Sequence, residues 1–271
     1  MNATWIVTVF EIIDMTMERL DHHSHVLTRV PDSEVLTVAV VAAKYFQNHH
    51  ERALNVLQAL HYLSGPLSTS RFNRRLHALA DWLAFISELL GEVLTTGEVF
   101  VIDSLPLPVC KRARARRCRK VRGRLYCGYC AAKDEKFFGW RLHLICTPTG
   151  VPVRFRMLPG SLHDLTPIHE LTAALPAGAR LFGDKGYNSA ADEASILAET
   201  GVRLIPVRRK NMQPHGWFLD ELELREYRHT IETVNSQAEA MGIERLRART
   251  TAGFAVKVHA SLVALQCWNA N

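Results

Sequence analysis

The sequence has no long hydrophobic run. Its longest apolar stretch, Val35–Ala43, is about half the length of the roughly 20 residues that a membrane-spanning helix needs. The first fifteen residues contain Glu11 and Asp14 but no basic residue, whereas a secretory signal peptide begins with basic residues. We therefore expect neither a membrane anchor nor export, and we predict a cytoplasmic protein.

Cysteine is scarce as well, with six residues in a chain of 271. This number does not indicate a disulfide scaffold in a chain of that length, and without an export signal we interpret the cysteines as thiols. Apolar residues make up 48% and charged residues 22% of the chain, close to the averages of globular proteins. A disordered chain and a fibrous protein are thus excluded, and the length suits one large domain or two modest ones.

Positive charge is concentrated in one segment. The formal net charge is +6, yet Cys110–Arg124 contains nine basic residues and no acidic one, and the rest of the chain has 24 basic against 27 acidic residues. Such a block repels itself and is typical of a segment that binds a polyanion, although a solvated loop without function is the alternative. These residues, here called the basic segment, are Lys111, Arg112, Arg114, Arg116, Arg117, Arg119, Lys120, Arg122 and Arg124.

The first 97 residues have the pattern of an all-helical domain, which we interpret as a region for DNA binding or dimerisation. Asp32 is a candidate N-cap for a helix that contains the run Val35–Ala43, and Glu51–Tyr62 is predicted as the next helix. A third helix is predicted from Ser68 through Leu83. Its basic residues suit a helix that lies against DNA or, alternatively, a solvated surface helix. They include Arg71, Arg74 and Arg75.

After Gly97 the apolar pattern changes from helical to extended. Glu98–Ser104 is apolar on both faces, as in a central strand, and Phe137–Cys146 and Val151–Leu158 alternate as the strands of a hairpin. Helices and strands then alternate, which predicts an α/β protein with a mixed sheet and flanking helices. The later elements are helix Thr166–Leu175, strand Ala179–Gly183, helix Ser189–Thr200, strand Val202–Val207, and helices Asp220–Met241 and Ala252–Trp268. The predicted boundaries are 1–97 for the helical domain, 98–271 for the sheet domain and 110–136 for a basic insertion within it.

Two aspartates lie where apolar strands are predicted to end. Asp103 closes the first strand of the sheet domain, and Asp184 follows Leu181–Gly183. A carboxylate at the end of a buried strand is costly unless it is paired or binds a metal ion, and Mg²⁺ prefers oxygen ligands of this kind. The alternative for each aspartate is a cap on the turn that follows it.

Glu232 is the third acidic candidate. It lies at the edge of the apolar stripe of the predicted helix Asp220–Met241, from where its side chain can reach over the sheet. The alternative is an exposed pair with Arg228, which contributes roughly a few tenths of a kcal/mol. The spacing alone does not decide between these two interpretations.

Four cysteines lie in or beside the basic segment. Thiolates in such a group suit a structural Zn²⁺ site, but the spacing lacks the usual first pair of closely spaced ligands. The alternative is that Cys110 fills the core while the others line a basic loop. The four residues are Cys110, Cys118, Cys127 and Cys130.

Several segments in a fixed order resemble one family of proteins. They read VIDSLPLPVC, GYCAAKDEKFFGWRLHLICTPTGVPV, PGSLHD, GDKGY and RHTIETVNSQ, and are preceded by DSEVLT and S-x-F-N-R-R-L-H. The chain resembles the bacterial insertion-sequence transposases of the DDE type, in particular insertion-sequence family nine-eight-two. The resemblance runs nearly from end to end.

This resemblance implies an RNase H-like catalytic core behind a helical N-terminal region. It implies an acidic triad of Asp103, Asp184 and Glu232, with 47 residues between the last two, as in that group. The triad would hold two Mg²⁺ or Mn²⁺ ions, and the enzyme would cut DNA at the transposon ends and join the 3′-OH to target DNA. The implied partners are duplex DNA, as terminal inverted repeats and as target, and a second copy of the chain in the DNA complex. The implied location is the nucleoid.

One position departs from the pattern of the family. Related transposases often have a basic residue seven positions after the glutamate, where this sequence has Glu239. A phosphate contact made there is expected to come from Arg228 or Lys185 instead. Further DNA contacts are expected from the basic residues that follow the last predicted strand, namely Arg208, Arg209 and Lys210.

Two other functions stay open from the residues alone. A zinc-stabilised nucleic-acid-binding protein would bind DNA without cutting it, and a stand-alone RNase H-like nuclease would cut DNA without joining it. Asp164, which precedes Thr166 and Pro167, is expected to cap the helix that begins there and not to join the triad.

Overall fold

The computed structural model of the chain describes residues 1–208 and 218–270. The chain divides into two compact units, Met1–Leu90 with Gln237–Asn271, and Gly91–Ser236. The first unit thus includes the C-terminal segment, which the sequence pattern grouped with the sheet. The α/β character that the sequence predicts is confirmed.

The first unit is helical. Among its described residues, α2 and α9 are buried along most of their length, so they form the centre of this unit. Most of the side chains that they bury are apolar, as in other buried helices. The helices of this unit are α1 (Ala3–Arg19), α2 (Asp32–Phe46), α3 (His50–Ala59), α4 (Thr69–Ala78), α5 (Ala80–Val93), the end of α8 (Phe218–Ala240) and α9 (Thr251–Asn269).

The start of α2 differs from the prediction that Asp32 is its N-cap. The helix begins at Asp32 itself, and Pro31 precedes it without a side-chain cap. The Asp32 carboxylate instead accepts hydrogen bonds from Arg75 at 2.6 Å and His22 at 3.0 Å. Although burial raises the pKa of Asp32, the bonds from Arg75 and His22 lower it overall. The acid therefore ties α2 to α4 through an ion pair, which satisfies the carboxylate better than a neutral cap would.

The predicted third helix is two helices. The chain leaves helical geometry at Leu79, where α4 ends and α5 begins. The apolar stripe is nevertheless confirmed, because Phe72, Leu76 and Leu83 are buried as the spacing predicts.

A lysine lies between two tryptophans in this unit. The Lys44 ammonium is 4.0 Å from the centre of the Trp5 ring and 4.4 Å from that of Trp268. Burial lowers the pKa of Lys44 to about 8. The Trp5 indole also donates to the Cys267 carbonyl at 3.0 Å, so α1, α2 and α9 are joined by polar contacts at this point.

The second unit contains a mixed six-stranded sheet. Strand β3 pairs antiparallel with β1 on one side and with β2 and β4 on the other, whereas β1, β5 and β6 run parallel. The strands are β1 (Val99–Lys111), β2 (Cys127–Cys130), β3 (Glu135–Cys146), β4 (Pro152–Pro159), β5 (Arg180–Gly183) and β6 (Arg203–Pro206). Helices α6 (Ile168–Thr172) and α7 (Ala190–Thr200) connect the later strands, and most of α8 belongs to this unit.

Strand β1 is longer than the predicted Glu98–Ser104. Its pairing with β3 continues to Lys111, with a register shift after Pro108. Its pairing with β5 ends at Ile102. Beyond that point one edge of β1 pairs with none of the described strands, and prolines, which lack an amide hydrogen, are tolerated at such an edge.

The core of this unit lies on the face of the sheet that α6 and α7 cover. It brings together side chains from β1, β3, β4, β5 and β6 with the two helices and with Tyr187. Its members are Phe100, Ile102, Ile145, Val153, Ile168, Leu171, Leu175, Ala179, Leu181, Tyr187, Ile196, Val202 and Leu204.

Replacement of Leu36 by alanine tests the buried position of α2. Leu36 is fully buried, so we expect the free energy of unfolding to fall by about 2–5 kcal/mol. Urea denaturation measures this change. Leu60→Ala is the matched control, since Leu60 is 53% exposed and should lose less than about 0.5 kcal/mol. Equal losses in the two variants would contradict the described core.

Candidate active site

Asp103 and Asp184 lie where the parallel pairing of β1 and β5 ends. The last pair of residues in register is Ile102 with Gly183. The next residue after each member of this pair is one of the two aspartates, so the acids lie side by side at this edge of the pairing. The structure thus brings together two members of the predicted triad.

The carboxylate of Asp103 is held by two hydrogen bonds. The backbone amide of Ser104 donates to Oδ1 at 2.7 Å, and the Asn235 side-chain amide of α8 donates to Oδ2 at 2.7 Å. Burial, together with the nearby carboxylates of Asp184 and Asp164, raises the pKa of Asp103 to about 6, although these two hydrogen bonds lower it. Asp103 is therefore an acid whose negative charge is only partly compensated by the chain.

Asp184 begins a short turn and is exposed. Its Oδ1 accepts from the Gly186 amide at 2.7 Å and so caps the turn Lys185–Tyr187. Asp184 therefore does cap the turn that follows it, as the alternative interpretation predicts. The same hydrogen bond holds its carboxylate near Asp103. Lys185 is exposed next to it.

Two glycines allow this turn to pack. A Cβ atom on Gly183 would lie 3.0 Å from Ile102 and 3.1 Å from the Tyr187 ring. A Cβ atom on Gly186 would lie 2.8 Å from Asp164 Oδ2 and 2.9 Å from Asp184 Oδ1. These two carboxylates therefore approach the same point, and the G-D-K-G-Y segment is glycine-rich because acids and a ring surround it.

Asp164 is part of the site and not a helix cap. Helix α6 has Pro167 at its N-cap position, without a side-chain cap. The Asp164 carboxylate instead accepts from the Ser104 hydroxyl at 2.8 Å and from Arg141 at 3.4 Å. The capping prediction was wrong because the chain between β4 and α6 turns Asp164 toward β1, where a charged donor and a hydroxyl satisfy it.

Glu232 is placed differently from the two aspartates. Its side chain is 57% exposed, and an oxygen lies 3.8 Å from His229 on the same helix. The residue of α8 that contacts Asp103 is Asn235, one turn later. The side chain of Arg228, the alternative partner of Glu232, lies outside the described residues.

Three further contacts fix α8 on the sheet. The ring of Tyr227 lies 5.2 Å from that of Phe182, and the Thr230 hydroxyl donates to the Pro148 carbonyl at 3.0 Å. Glu223 forms an ion pair with Arg180. The contacts come from successive turns of α8, so the helix presents a continuous face to β5 and to the turn between β3 and β4.

The donor chemistry of the site suits a hard divalent cation. Asp103 and Asp184 offer carboxylate oxygens, and a cation would offset the burial and the carboxylate repulsion that together raise the pKa of Asp103. In residues 1–208 and 218–270, however, no three or more His, Cys, Asp or Glu side chains are grouped so that they could hold a metal ion. Glu232 is thus not assembled with the two aspartates as a ligand set, and the complete triad stays a prediction.

The four cysteines do not form a metal site among the described residues either. Within the described part of the chain they form no group of three or more that could hold zinc. Cys110 and Cys118 are neighbours: burial and the hydrogen bond with Cys118 raise the pKa of Cys110. Cys110 and Cys127 are both in register with Phe138, on opposite sides of β3.

Most charges of the basic segment face solvent. Every basic residue in it except Lys120 is exposed, and Lys120 donates to the Val109 carbonyl at 3.5 Å. The segment contains two short 3₁₀ turns, Arg112–Arg117 and Arg124–Tyr126, between β1 and β2. It therefore presents a dense cationic surface beside the sheet.

In the helical unit, arginines line a cleft of about 610 Å³. Arg71 and Arg74 of α4 are exposed there, and Arg29 faces them from the loop before α2. Arg75 also borders the cleft but forms the ion pair with Asp32. Two of the three predicted basic residues are thus presented to solvent, together with Arg29, which no sequence pattern indicated.

The remaining predicted DNA contacts fall into two groups. Arg208 donates both guanidinium nitrogens to Glu193, at 2.6 and 2.7 Å, and its side chain is 21% exposed. It therefore fastens the chain after β6 to α7. Arg209 and Lys210 lie outside the described residues.

Comparison with known proteins places this arrangement in a family. Residues 94–251, more than half of the chain, match the family model described as transposase DDE domain. The chain belongs to the transposase DDE domain family. The resemblance to DDE transposases is thereby confirmed, and the match includes Asp103, Asp184 and Glu232. No curated protein and no solved structure matches the chain.

None of the helices in the described parts of the chain is long and apolar enough to cross a bilayer.

The pKa of Asp103 provides a test of the site geometry. In metal-free protein we expect it near 6, and ¹³C NMR of the carboxyl carbon with a chelator present measures it. Asp184→Asn removes a carboxylate that raises this pKa, so the value should fall. Asn235→Ala removes a donor that lowers it, so the value should rise.

Glu170→Gln is the control for this titration, since Glu170 is exposed and pairs with Arg156. It should leave the pKa of Asp103 unchanged. Because folding raises this pKa from 3.8, the stability that Asp103 contributes is complete below about pH 4 and is lost as the pH rises through about 6. An Asp103 that titrates as an ordinary aspartate in all variants would contradict the described geometry.

Proposed function

We propose that the protein is the transposase of a bacterial insertion sequence of family nine-eight-two. It would cut a phosphodiester at each end of the element, expose a 3′-OH and join that hydroxyl to target DNA. The observation that carries this proposal is the pair Asp103 and Asp184 at the point where the parallel pairing of β1 and β5 ends, in a chain of the DDE family. The pKa of Asp103, which burial and the carboxylates of Asp184 and Asp164 raise, supports a site that would be stabilised by a bound cation.

The strand order supports an RNase H-like fold for residues 98–271. Strands β1, β3 and β4 form an antiparallel meander, and β5 and β6 extend it in parallel on the other side of β1. Helices α6 and α7 supply the crossovers. We assign residues 1–97 to DNA binding or dimerisation.

Asp103, Asp184 and Glu232 would hold two Mg²⁺ or Mn²⁺ ions. Bound ions of this kind lower the pKa of water and stabilise the charge that develops on a phosphate. Asn235 fixes the orientation of Asp103 through its 2.7 Å hydrogen bond. Glu232 precedes it by one turn on α8, so the helix that orients the first acid also carries the third.

The reaction consists of two in-line displacements at phosphorus. In the first, a water oxygen attacks the phosphorus at the transposon end, the bond to the 3′ oxygen breaks, and that oxygen leaves as a 3′-OH. In the second, this hydroxyl attacks a phosphorus of the target strand and displaces the target's own 3′ oxygen. Neither step needs a covalent bond to the protein, which agrees with a site built from carboxylates.

DNA would be held by the two cationic surfaces. The basic segment lies between β1 and β2 of the catalytic unit, and the cleft with Arg71 and Arg74 lies in the helical unit. Lys185 lies next to Asp184 and is suited to a phosphate at the site. We further propose a homodimer on the paired transposon ends and a nucleoid-associated location in the cytoplasm.

The three acids provide the first test. Asp103→Ala, Asp184→Ala and Glu232→Ala should each abolish Mg²⁺-dependent cleavage of the terminal repeat, while folding and DNA binding persist. Binding should be equal or tighter, because each change removes a negative charge near phosphate. Gel assays with labelled ends measure cleavage and strand transfer. Glu170→Ala, an exposed acid outside the site, should keep full activity.

Other outcomes of this assay would indicate other functions. Cleavage without joining by the wild type would indicate a nuclease, and binding without cleavage would indicate a DNA-binding protein. An active Glu232→Ala beside inactive aspartate variants would remove Glu232 from the triad.

The role of the basic segment in DNA binding is tested separately, through the salt dependence of the affinity for DNA. Arg114, Arg116, Arg117 and Arg119 should be replaced together by glutamine. If they contact phosphates, the slope of log K against log salt should become flatter by about three to four units on duplex DNA. Fluorescence anisotropy across a salt series measures the slope.

Four exposed basic residues elsewhere provide the matched control for charge. Their replacement by glutamine should change the slope by less than about one unit. They are Arg19, Arg52, Arg203 and Arg245. Equal slopes for the two quadruple variants would mean that the basic segment is only a solvated loop.

A further inference from the structure

Asp164 contacts the residues that support both aspartates of the site. Its Oδ1 accepts from the Ser104 hydroxyl at 2.8 Å, and the Ser104 amide donates to Asp103 at 2.7 Å. Its Oδ2 faces Gly186, whose amide donates to Asp184 at 2.7 Å. A single carboxylate thus joins the backbone that holds Asp103 to the backbone that holds Asp184.

Arg141 fixes the orientation of this carboxylate. Its Nη1 lies 3.4 Å from Asp164 Oδ1 and 3.2 Å from the Ser104 hydroxyl, and its Nη2 donates to the Tyr129 carbonyl at 2.8 Å. The Arg141 side chain is 16% exposed and that of Asp164 is 22% exposed. The charge of Asp164 is therefore paired inside the protein, and its position is defined from β3.

Two buried polar side chains next to Asp164 have no hydrogen-bond partner in the described structure. They are His143, which is fully buried, and the hydroxyl of Tyr187, which is 1% exposed. The Nδ1 atom of His143 lies 4.0 Å from Asp164 Oδ1. Burial raises the pKa of Tyr187 well above its usual value, and Asp164, Asp103 and Asp184 raise it further.

We propose that Asp164 is a positioning residue of the active site. Through Ser104 and the turn Lys185–Tyr187 it sets the separation of the Asp103 and Asp184 carboxylates that receive the divalent ions. This inference rests on the proposed function. It differs from a fourth ligand, because Oδ1 of Asp164 is already engaged by Ser104 and Arg141.

The acceptor oxygen of Asp164 is then more important than its charge. Asparagine at this position keeps an oxygen for Ser104 and Arg141, whereas alanine removes both bonds. Loss of a side chain that orients a metal-binding residue typically weakens metal binding by about 10- to 100-fold. Asp164→Ala should therefore fall in this range, and Asp164→Asn should recover most of the loss.

The experiment measures Mn²⁺ binding to the full chain without DNA by calorimetry. In parallel it measures the Mg²⁺ concentration at half-maximal cleavage and the melting temperature. Asp164→Ala should weaken Mn²⁺ binding and raise the Mg²⁺ requirement by about tenfold or more, and Asp164→Asn should stay within about threefold of wild type. Glu170→Ala is the control and should match the wild type in both readouts.

Two results would overturn the proposal. Wild-type Mn²⁺ binding in Asp164→Ala would show that Asp164 positions nothing, whatever its effect on melting temperature. Equal losses in Asp164→Asn and Asp164→Ala would show that the charge acts directly, as in a ligand.

A second variant covers the case in which Asp164→Ala does not fold. Ser104→Ala breaks one of the same connections and should weaken Mn²⁺ binding in the same direction by a smaller factor. Unchanged binding in Ser104→Ala would equally overturn the proposal. If the wild type binds Mn²⁺ but does not cut transposon ends, the proposed function fails while the calorimetric test of Asp164 still stands.

Discussion

The end of the parallel pairing between β1 and β5 is the constraint on which the site depends. Up to Ile102 and Gly183 both strands are buried between other elements, and a carboxylate there would be desolvated without a partner. One residue later β5 ends, so the same strands can carry acids that are still rigidly placed by the sheet. Asn235 on α8 donates to Asp103 at this position, and Arg141 on β3 contacts Ser104 and Asp164 beside it.

The sequence predicted the sheet and two of the acids because these depend on local patterns. Alternation and apolar runs gave β3, β4 and β5 nearly to the residue, and Asp103 and Asp184 follow such runs directly. The partners of these acids were missed, because contacts such as Asn235 with Asp103 join positions 132 residues apart. The sequence signal for Asn235 was its place one turn after Glu232. No local pattern indicated that Asp164 would prefer Ser104 to a helix cap.

Arginine serves opposite purposes in this protein, and the difference arises only in three dimensions. Arg75, Arg141 and Arg208 are engaged by carboxylates and fasten helices and strands to one another. The arginines of the basic segment have no acidic residue near them in sequence and are exposed. A high local density of positive charge in the sequence therefore distinguishes the exposed arginines from the paired ones. The presence of an arginine in a motif does not.

The long central strand β3 has a consequence for how the chain folds. Its hairpin with β4 closes over only a few residues, whereas the pairing of β1 with β5 closes a loop of about 80 residues, and loop closure costs more entropy as loops lengthen. We therefore expect the antiparallel meander to form before the parallel half. During synthesis Asp103 is made early. Its side-chain amide donor, Asn235, is made 132 residues later. A nascent or truncated polypeptide that ends before α8 thus carries the first acid without the contact that orients it, so the catalytic centre is completed only when most of the chain has been made.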